Sequence, residues 1–149
     1  MALAAAGVPY RIIPGVTAGL AALTAASIPA TMRGVNQAVI LAAGHAAADA
    51  VDQDQLDWQA LAATGQPLVL YMAMRNLDEI AGALQRGGLA GDTPAAAIAA
   101  ATTANERIVV STLERLASDV RDSSLEPPAV VVIGEIVRVR DRLRNAACD

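Results

Sequence analysis

The run Ala129-Val130-Val131-Val132-Ile133, closed by Gly134, decides the fold class. It is continuously apolar and rich in β-branched residues, with no alternation, which suits a strand covered on both faces. Residues 67–72 and 94–101 read as further strands. Residues 37–43 form a β-rich run stopped by Gly44, residues 107–111 another, and residues 10–13 a short run stopped by Pro14-Gly15. Helices are predicted between them: residues 17–27 with Thr17 as N-cap, 57–63 with Asp57 or a nearby residue as cap, and 77–85, opened by Asn76 and ended at Gly87-Gly88. A fourth helix is expected over 113–120, with Thr112 as cap. Leu77, Ile80, Ala81 and Leu84 recur at helical spacing and are expected in the core. Residues 46–55 read as a loop or short helix. Residues 136–142 alternate Val and Arg and read as a half-exposed extension of the last strand. Strands separated by helices imply an α/β sandwich.

At 149 residues, with 54% hydrophobic and 17% charged content, the chain can bury a substantial core. It has no Phe, so that core is built from Val, Leu, Ile and Ala. A net charge of -4 argues against nucleic acid as a partner. Every basic residue is Arg, which excludes lysine nucleophiles and Schiff bases. One cysteine, Cys148, and one histidine, His45, give no disulfide framework and no thiolate or imidazole cluster for a metal. Asp49, Asp52, Asp54 and Asp57 lack calcium-loop spacing and read as a solvated face. Residues 1–7 lack the basic region of a signal peptide, and no uncharged run is long enough to span a bilayer. A cytoplasmic protein without membrane attachment is expected.

Several polar or small residues fall just past predicted strands, where open α/β sheets hold their ligands. Thr17 and Ala18 open a helix after a Pro-Gly turn, so they are either a plain cap or a ligand contact. Arg33 is either a carboxylate clamp or a solvated loop arginine. His45 follows a strand and a glycine and is either a binding residue or a structural one. Tyr71 and Met72 end the second strand, where Met72 would suit an adaptable apolar wall. Ala99 to Thr103 end the third with small side chains that let a ligand approach the backbone. Gly87-Gly88-Leu89-Ala90-Gly91 lacks the pattern of a phosphate loop.

These segments also resemble, in order and over nearly the whole chain, the second half of the tetrapyrrole methylases that methylate uroporphyrinogen III. The pieces are Val8-Pro9-Tyr10 through Pro14-Gly15-Val16-Thr17-Ala18, then Ile28-Pro29-Ala30-Thr31-Met32-Arg33-Gly34, Ala43-Gly44-His45 and Leu56-Asp57-Trp58. They continue with Leu70-Tyr71-Met72, Thr93-Pro94-Ala95-Ala96, Ala101-Thr102, Glu106-Arg107, and Gly134-Glu135-Ile136-Val137 as far as Arg140. The resemblance implies a mixed sheet of about five strands flanked by helices and S-adenosylmethionine as methyl donor, with no metal. It implies cofactor contacts at Pro14, Gly15, Thr17, Ala18, Met72, Ala101 and Thr102, and tetrapyrrole contacts at Arg33, His45 and Met72. Met32 and Ala43 stand where relatives commonly carry His and Thr, removing one potential substrate contact and one hydroxyl.

By the same resemblance, residues 1–34 are the last strand of a preceding domain plus a linker helix, and residues 35–149 the C-terminal domain. The catalytic residues and the Gly-Gly-Asp-Pro cofactor loop would lie upstream, and a separately encoded N-terminal half is a candidate partner. The implied function is C-methylation of uroporphyrinogen III at C2 and C7 in siroheme or cobalamin synthesis, by a homodimer, with this half inactive alone. A methylase acting on a later precorrin, and a non-enzymatic dimerisation module, are the alternatives.

Overall fold

A computed structural model describes residues 1–44 and 56–146. His45, the predicted loop over 46–55 with its three aspartates, and Cys148 lie outside the described residues. Five strands form one mixed sheet: β1 (Ile40–Ala43), β2 (Leu68–Tyr71), β3 (Pro94–Ala99), β4 (Arg107–Thr112) and β5 (Ala129–Ile133), in the order β1-β2-β5-β3-β4. β1 and β2 run parallel, while β5 is antiparallel to both β2 and β3, and β3 to β4. The uninterrupted apolar run of β5 is explained by its place: it is the middle strand, covered on both faces, and Val130 through Ile133 are all buried.

Register fixes which residues share a face. Val69, Val132 and Ala96 stand side by side across the sheet, as do Leu70, Val131 and Ala97 on the opposite face. Under the second set pack α3 (Trp58–Ala63), α4 (Leu77–Arg86) and α5 (Leu116–Asp122), which contribute Ala62, Leu77, Ile80, Leu84, Leu116 and Val120. Against the first set lie α2 (Ala18–Ala25) and a 3₁₀ turn, Glu135–Arg138, that leads into α6 (Val139–Ala146). Gly19, Ala22, Leu23 and Ala26 give α2 a buried stripe at i, i+3, i+4, i+7. Four of the six residues of β3 are alanine, and all six are buried, so helices on both sides approach it closely.

Three predicted elements differ from what forms. Residues 10–13 are not a strand in this chain: no ladder includes them, and Tyr10, Ile12 and Ile13 are 59%, 84% and 72% exposed. An extended segment needs a neighbour for its N–H and C=O groups, and no described strand lies beside it. A short helix, α1 (Ala2–Ala5), precedes it. Residues 136–142 are helical rather than extended. Gly134, at φ 140°, turns the chain, after which Ile136, Val137 and Val139 are all buried against the second face. Two adjacent buried residues are what a helical turn allows and an alternating strand forbids. Finally, Thr112 ends β4, and α5 begins after Arg115 rather than at Leu113.

Among the described residues, no helix is long and apolar enough to cross a membrane, and no group of His, Cys, Asp and Glu side chains gathers in a way that could hold a metal.

The two faces of the sheet and the opening segment make contrasting predictions. Leu70→Ala, at a fully buried position of β2, should lower stability by about 2–5 kcal/mol. Ile12→Ser in the unpaired segment should change it by no more than about 0.5 kcal/mol. Urea midpoints of the two variants check both.

Candidate functional site

The carboxyl ends of β1, β2 and β3 point to one edge of the sheet, where the antiparallel β5 begins. A cavity of about 810 Å³ opens there. Its walls come from the first turn of α2 (Ala18, Ala21), the exit of β2 (Tyr71 to Arg75), the loop after β3 (Ala100 to Thr103) and the entry to β5 (Pro127 to Val130). The lining is apolar apart from the Thr102 and Thr103 side chains, the Tyr71 hydroxyl and Arg75.

Tyr71 ties the helix to the strand. Its hydroxyl lies 2.5 Å from Thr17 Oγ1 and accepts the Gly19 N–H at 3.1 Å. Thr17 therefore sits at the N-cap of α2 as expected, yet makes no side-chain cap bond to its own helix. Glycine is required at position 19, because a Cβ there would lie 2.2 Å from the Tyr71 hydroxyl oxygen. On the opposite side of β2 the Gly44 amide donates to the Tyr71 carbonyl at 2.7 Å. Asn76 opens α4 without capping it; its side-chain amide instead donates to the Gly44 carbonyl at 3.0 Å.

Backbone strain gathers at the cavity. Met72 (φ 54°), Ala100 (φ 46°) and Thr102 (φ 66°) all adopt the left-handed conformation, which costs a non-glycine residue roughly 1–2 kcal/mol. Such strain persists only where neighbours fix it. Here Glu106 accepts the Thr102 N–H at 2.7 Å, Thr103 Oγ1 donates to the Ala100 carbonyl at 2.7 Å, and the Ala100 N–H donates to the Pro128 carbonyl at 3.1 Å. The result is a tight loop that presents the small Ala101 to the cavity.

Of the predicted site residues, the structure brings Ala18, Met72, Ala101 and Thr102 together around this cavity, with Thr17 joined to it through Tyr71. Pro14 and Gly15 lie in the exposed segment before α2 and are not in the wall. Arg33 is exposed in the loop between α2 and β1, which Asn36 organises by bonding the Ala30 and Ala38 carbonyls, and it does not reach the cavity. Thr103, in the small-residue segment marked after the third strand, also lines it, whereas Arg75, Met74, Pro127 and Pro128 are wall residues that sequence reading missed. Arg75 carried a signal, as a cation just past the β2 carboxyl end. The two prolines carried none, because the direction of β5 is not written in its composition.

Comparison with known proteins follows the same geometry. Residues 1–117 match the model of the tetrapyrrole (corrin/porphyrin) methylases. A uroporphyrinogen-III C-methyltransferase from a Sinorhizobium species is 43% identical over 136 residues, covering 91% of this chain and 48% of that protein. The chain thus spans about half the length of the curated relative it matches. Among solved structures, a cobalamin-biosynthetic cobalt precorrin-4 methyltransferase superposes with a TM-score of 0.81 at 25% identity, covering 91% of this chain and 56% of the other. The uroporphyrin-III C-methyl transferase of Thermus thermophilus, complexed with S-adenyl homocysteine, gives a TM-score of 0.70 at 30% identity, covering 92% and 57%.

The Tyr71 clamp predicts coupled mutations. Gly19→Ala should cost about 1–3 kcal/mol through the clash with the hydroxyl, and Tyr71→Phe about 1 kcal/mol. In the double variant the Gly19→Ala penalty should shrink. Urea denaturation of the four proteins closes the cycle, and strict additivity would disprove the contact.

Proposed function

Because this chain belongs to the tetrapyrrole methylase family, we propose that it forms the C-terminal half of an S-adenosylmethionine-dependent methyltransferase acting on uroporphyrinogen III at C2 and C7. The observation that carries this reading is the apolar cavity at the carboxyl edge, walled by Ala18, Met72, Ala101 and Thr102. Its lining fits the cofactor. Ala18 and Ala21 leave room at the start of α2, and Met72 offers a polarisable apolar surface to a flat ring. The strained loop turns Ala101 inward so that a ligand can approach its backbone. When bound, S-adenosylmethionine supplies an electrophilic methyl group on its sulfonium. The residues of this half exclude water and fix orientation, the contribution that alignment makes to a transfer reaction.

In this reading Thr17 acts through Tyr71, and Pro14 and Gly15 approach the cofactor only once the exposed segment is seated. Residues 1–34 connect a preceding domain to residues 35–149, and the apolar segment with Tyr10, Ile12 and Ile13 finds its strand neighbour in that domain. Arg33, remote from this cavity, and His45 remain substrate-facing candidates, and the assembled enzyme would be a homodimer. Catalytic side chains come from the N-terminal half, so the chain alone binds cofactor weakly and transfers no methyl group. A later precorrin as substrate is the second reading, since a cobalt precorrin-4 methyltransferase shares this fold.

Titration calorimetry with S-adenosylhomocysteine should detect binding to the chain, weakened at least tenfold by Ala18→Trp. Absence of binding by the unaltered chain would refute the cofactor role. Mixing the chain with the N-terminal half of the Sinorhizobium relative should give methylated uroporphyrinogen III, read by product mass. Turnover by the chain alone would overturn the assignment of an inactive half, and methylation only of a later precorrin would favour the second reading.

A further inference from the structure

The cavity wall carries one formal charge among the described residues, Arg75, and nothing in the cofactor contacts above employs it. Arg75 sits in the 3₁₀ turn Met74–Asn76, immediately after the left-handed turn at Met72 and the buried Ala73. That turn is held firmly: Asn76 bonds the Gly44 carbonyl, its amide bonds the Ala73 carbonyl at 2.9 Å, and Leu77 behind it is buried. The guanidinium is exposed at the rim, and among the described residues no carboxylate lies within ion-pair distance of it. Arg115, Arg121, Arg138 and Arg140, by contrast, each lie within 4 Å of an acidic side chain.

We infer that Arg75 is a specificity-determining residue that clamps a carboxylate of the tetrapyrrole at the mouth of the cavity. This rests on the proposed function of the site. Charge decides between the two ligands. S-adenosylmethionine carries a sulfonium and an ammonium against one carboxylate, so a cation beside it gains nothing net. A tetrapyrrole bearing carboxylates on every ring is a polyanion, and a planar guanidinium binds a carboxylate through two parallel hydrogen bonds. The chain as a whole is acidic, at -4, and would repel such a substrate elsewhere. Arg75, the one charged side chain of the cavity wall among the described residues, gives the polyanion an attractive point at the mouth and fixes which edge of the macrocycle enters.

The test uses the full chain, with uroporphyrin III as a stable polycarboxylate probe followed by fluorescence anisotropy and S-adenosylhomocysteine followed by calorimetry. Arg75→Ala should weaken uroporphyrin binding at least tenfold, Arg75→Lys should restore part of it, and S-adenosylhomocysteine affinity should stay within about twofold. Arg121→Ala, which removes the same charge from the α4–α5 surface, should leave uroporphyrin binding unchanged. Uroporphyrin binding that ignores Arg75, or falls equally in the Arg121 variant, overturns the inference, as does binding of S-adenosylhomocysteine but not uroporphyrin by the unaltered chain. A loss of S-adenosylhomocysteine affinity in Arg75→Ala assigns the residue to the cofactor and overturns it too. Arg75-dependent uroporphyrin binding without any S-adenosylhomocysteine binding upholds the inference and refutes the cofactor reading alone.

Discussion

Everything in this sheet depends on β5 lying between β2 and β3. β2 has β1 on one side and only β5 on the other, and β3 has only β4 and β5. Without β5 there would be a parallel pair and a separate antiparallel hairpin, each too small to hold a core. With it, the side chains of Val131 and Val132 join the two pieces on opposite faces at once. The helical layers then have a continuous surface to cover, and the cavity acquires its floor at Ala129 and Val130.

The site is built from the same joints. Tyr71 is the last residue of β2, and through its hydroxyl it fixes where α2 begins, while its backbone holds Gly44 at the end of β1. The loop after β3 is pinned to Pro128 at the entry to β5. Strain at Met72, Ala100 and Thr102 is concentrated where the sheet's rigidity can bear it, and the small side chains between these joints leave the cavity open.

Much of the architecture was legible in the sequence because its signals are local. The unbroken apolar run of β5, the Asp57 cap that accepts the Ala60 N–H, and the spacing of Leu77, Ile80 and Leu84 each state their own structure. The failures share a different cause. The segment containing Tyr10 and Ile12 looks like a strand, but being one requires a neighbour that the described residues do not supply. Val137, Arg138, Val139 and Arg140 alternate as a strand would, and only the turn at Gly134 and the waiting face of Val130 and Val132 make them helical. The cavity was half legible for the same reason. Ala18, Met72, Ala101 and Thr102 stand at strand and helix ends that sequence marks, whereas Arg75 and the prolines matter through how the strands are ordered. Arg33 was marked by residue type alone, and the loop between α2 and β1 keeps it out of this cavity's wall.

The position of β5 also has a consequence in time. β1 to β4 precede it in the chain, so as the polypeptide leaves the ribosome both half-sheets carry an unpaired inner edge until residues 129–133 emerge. Closing the sheet then joins strands separated by about thirty to sixty residues, the kind of non-local pairing that slows folding. The helices α2 to α5 all precede β5, so what waits on the nascent chain is the unpaired inner edge of β2 and of β3 rather than their covered faces, and such open edges are the features that expose a growing chain to mispairing.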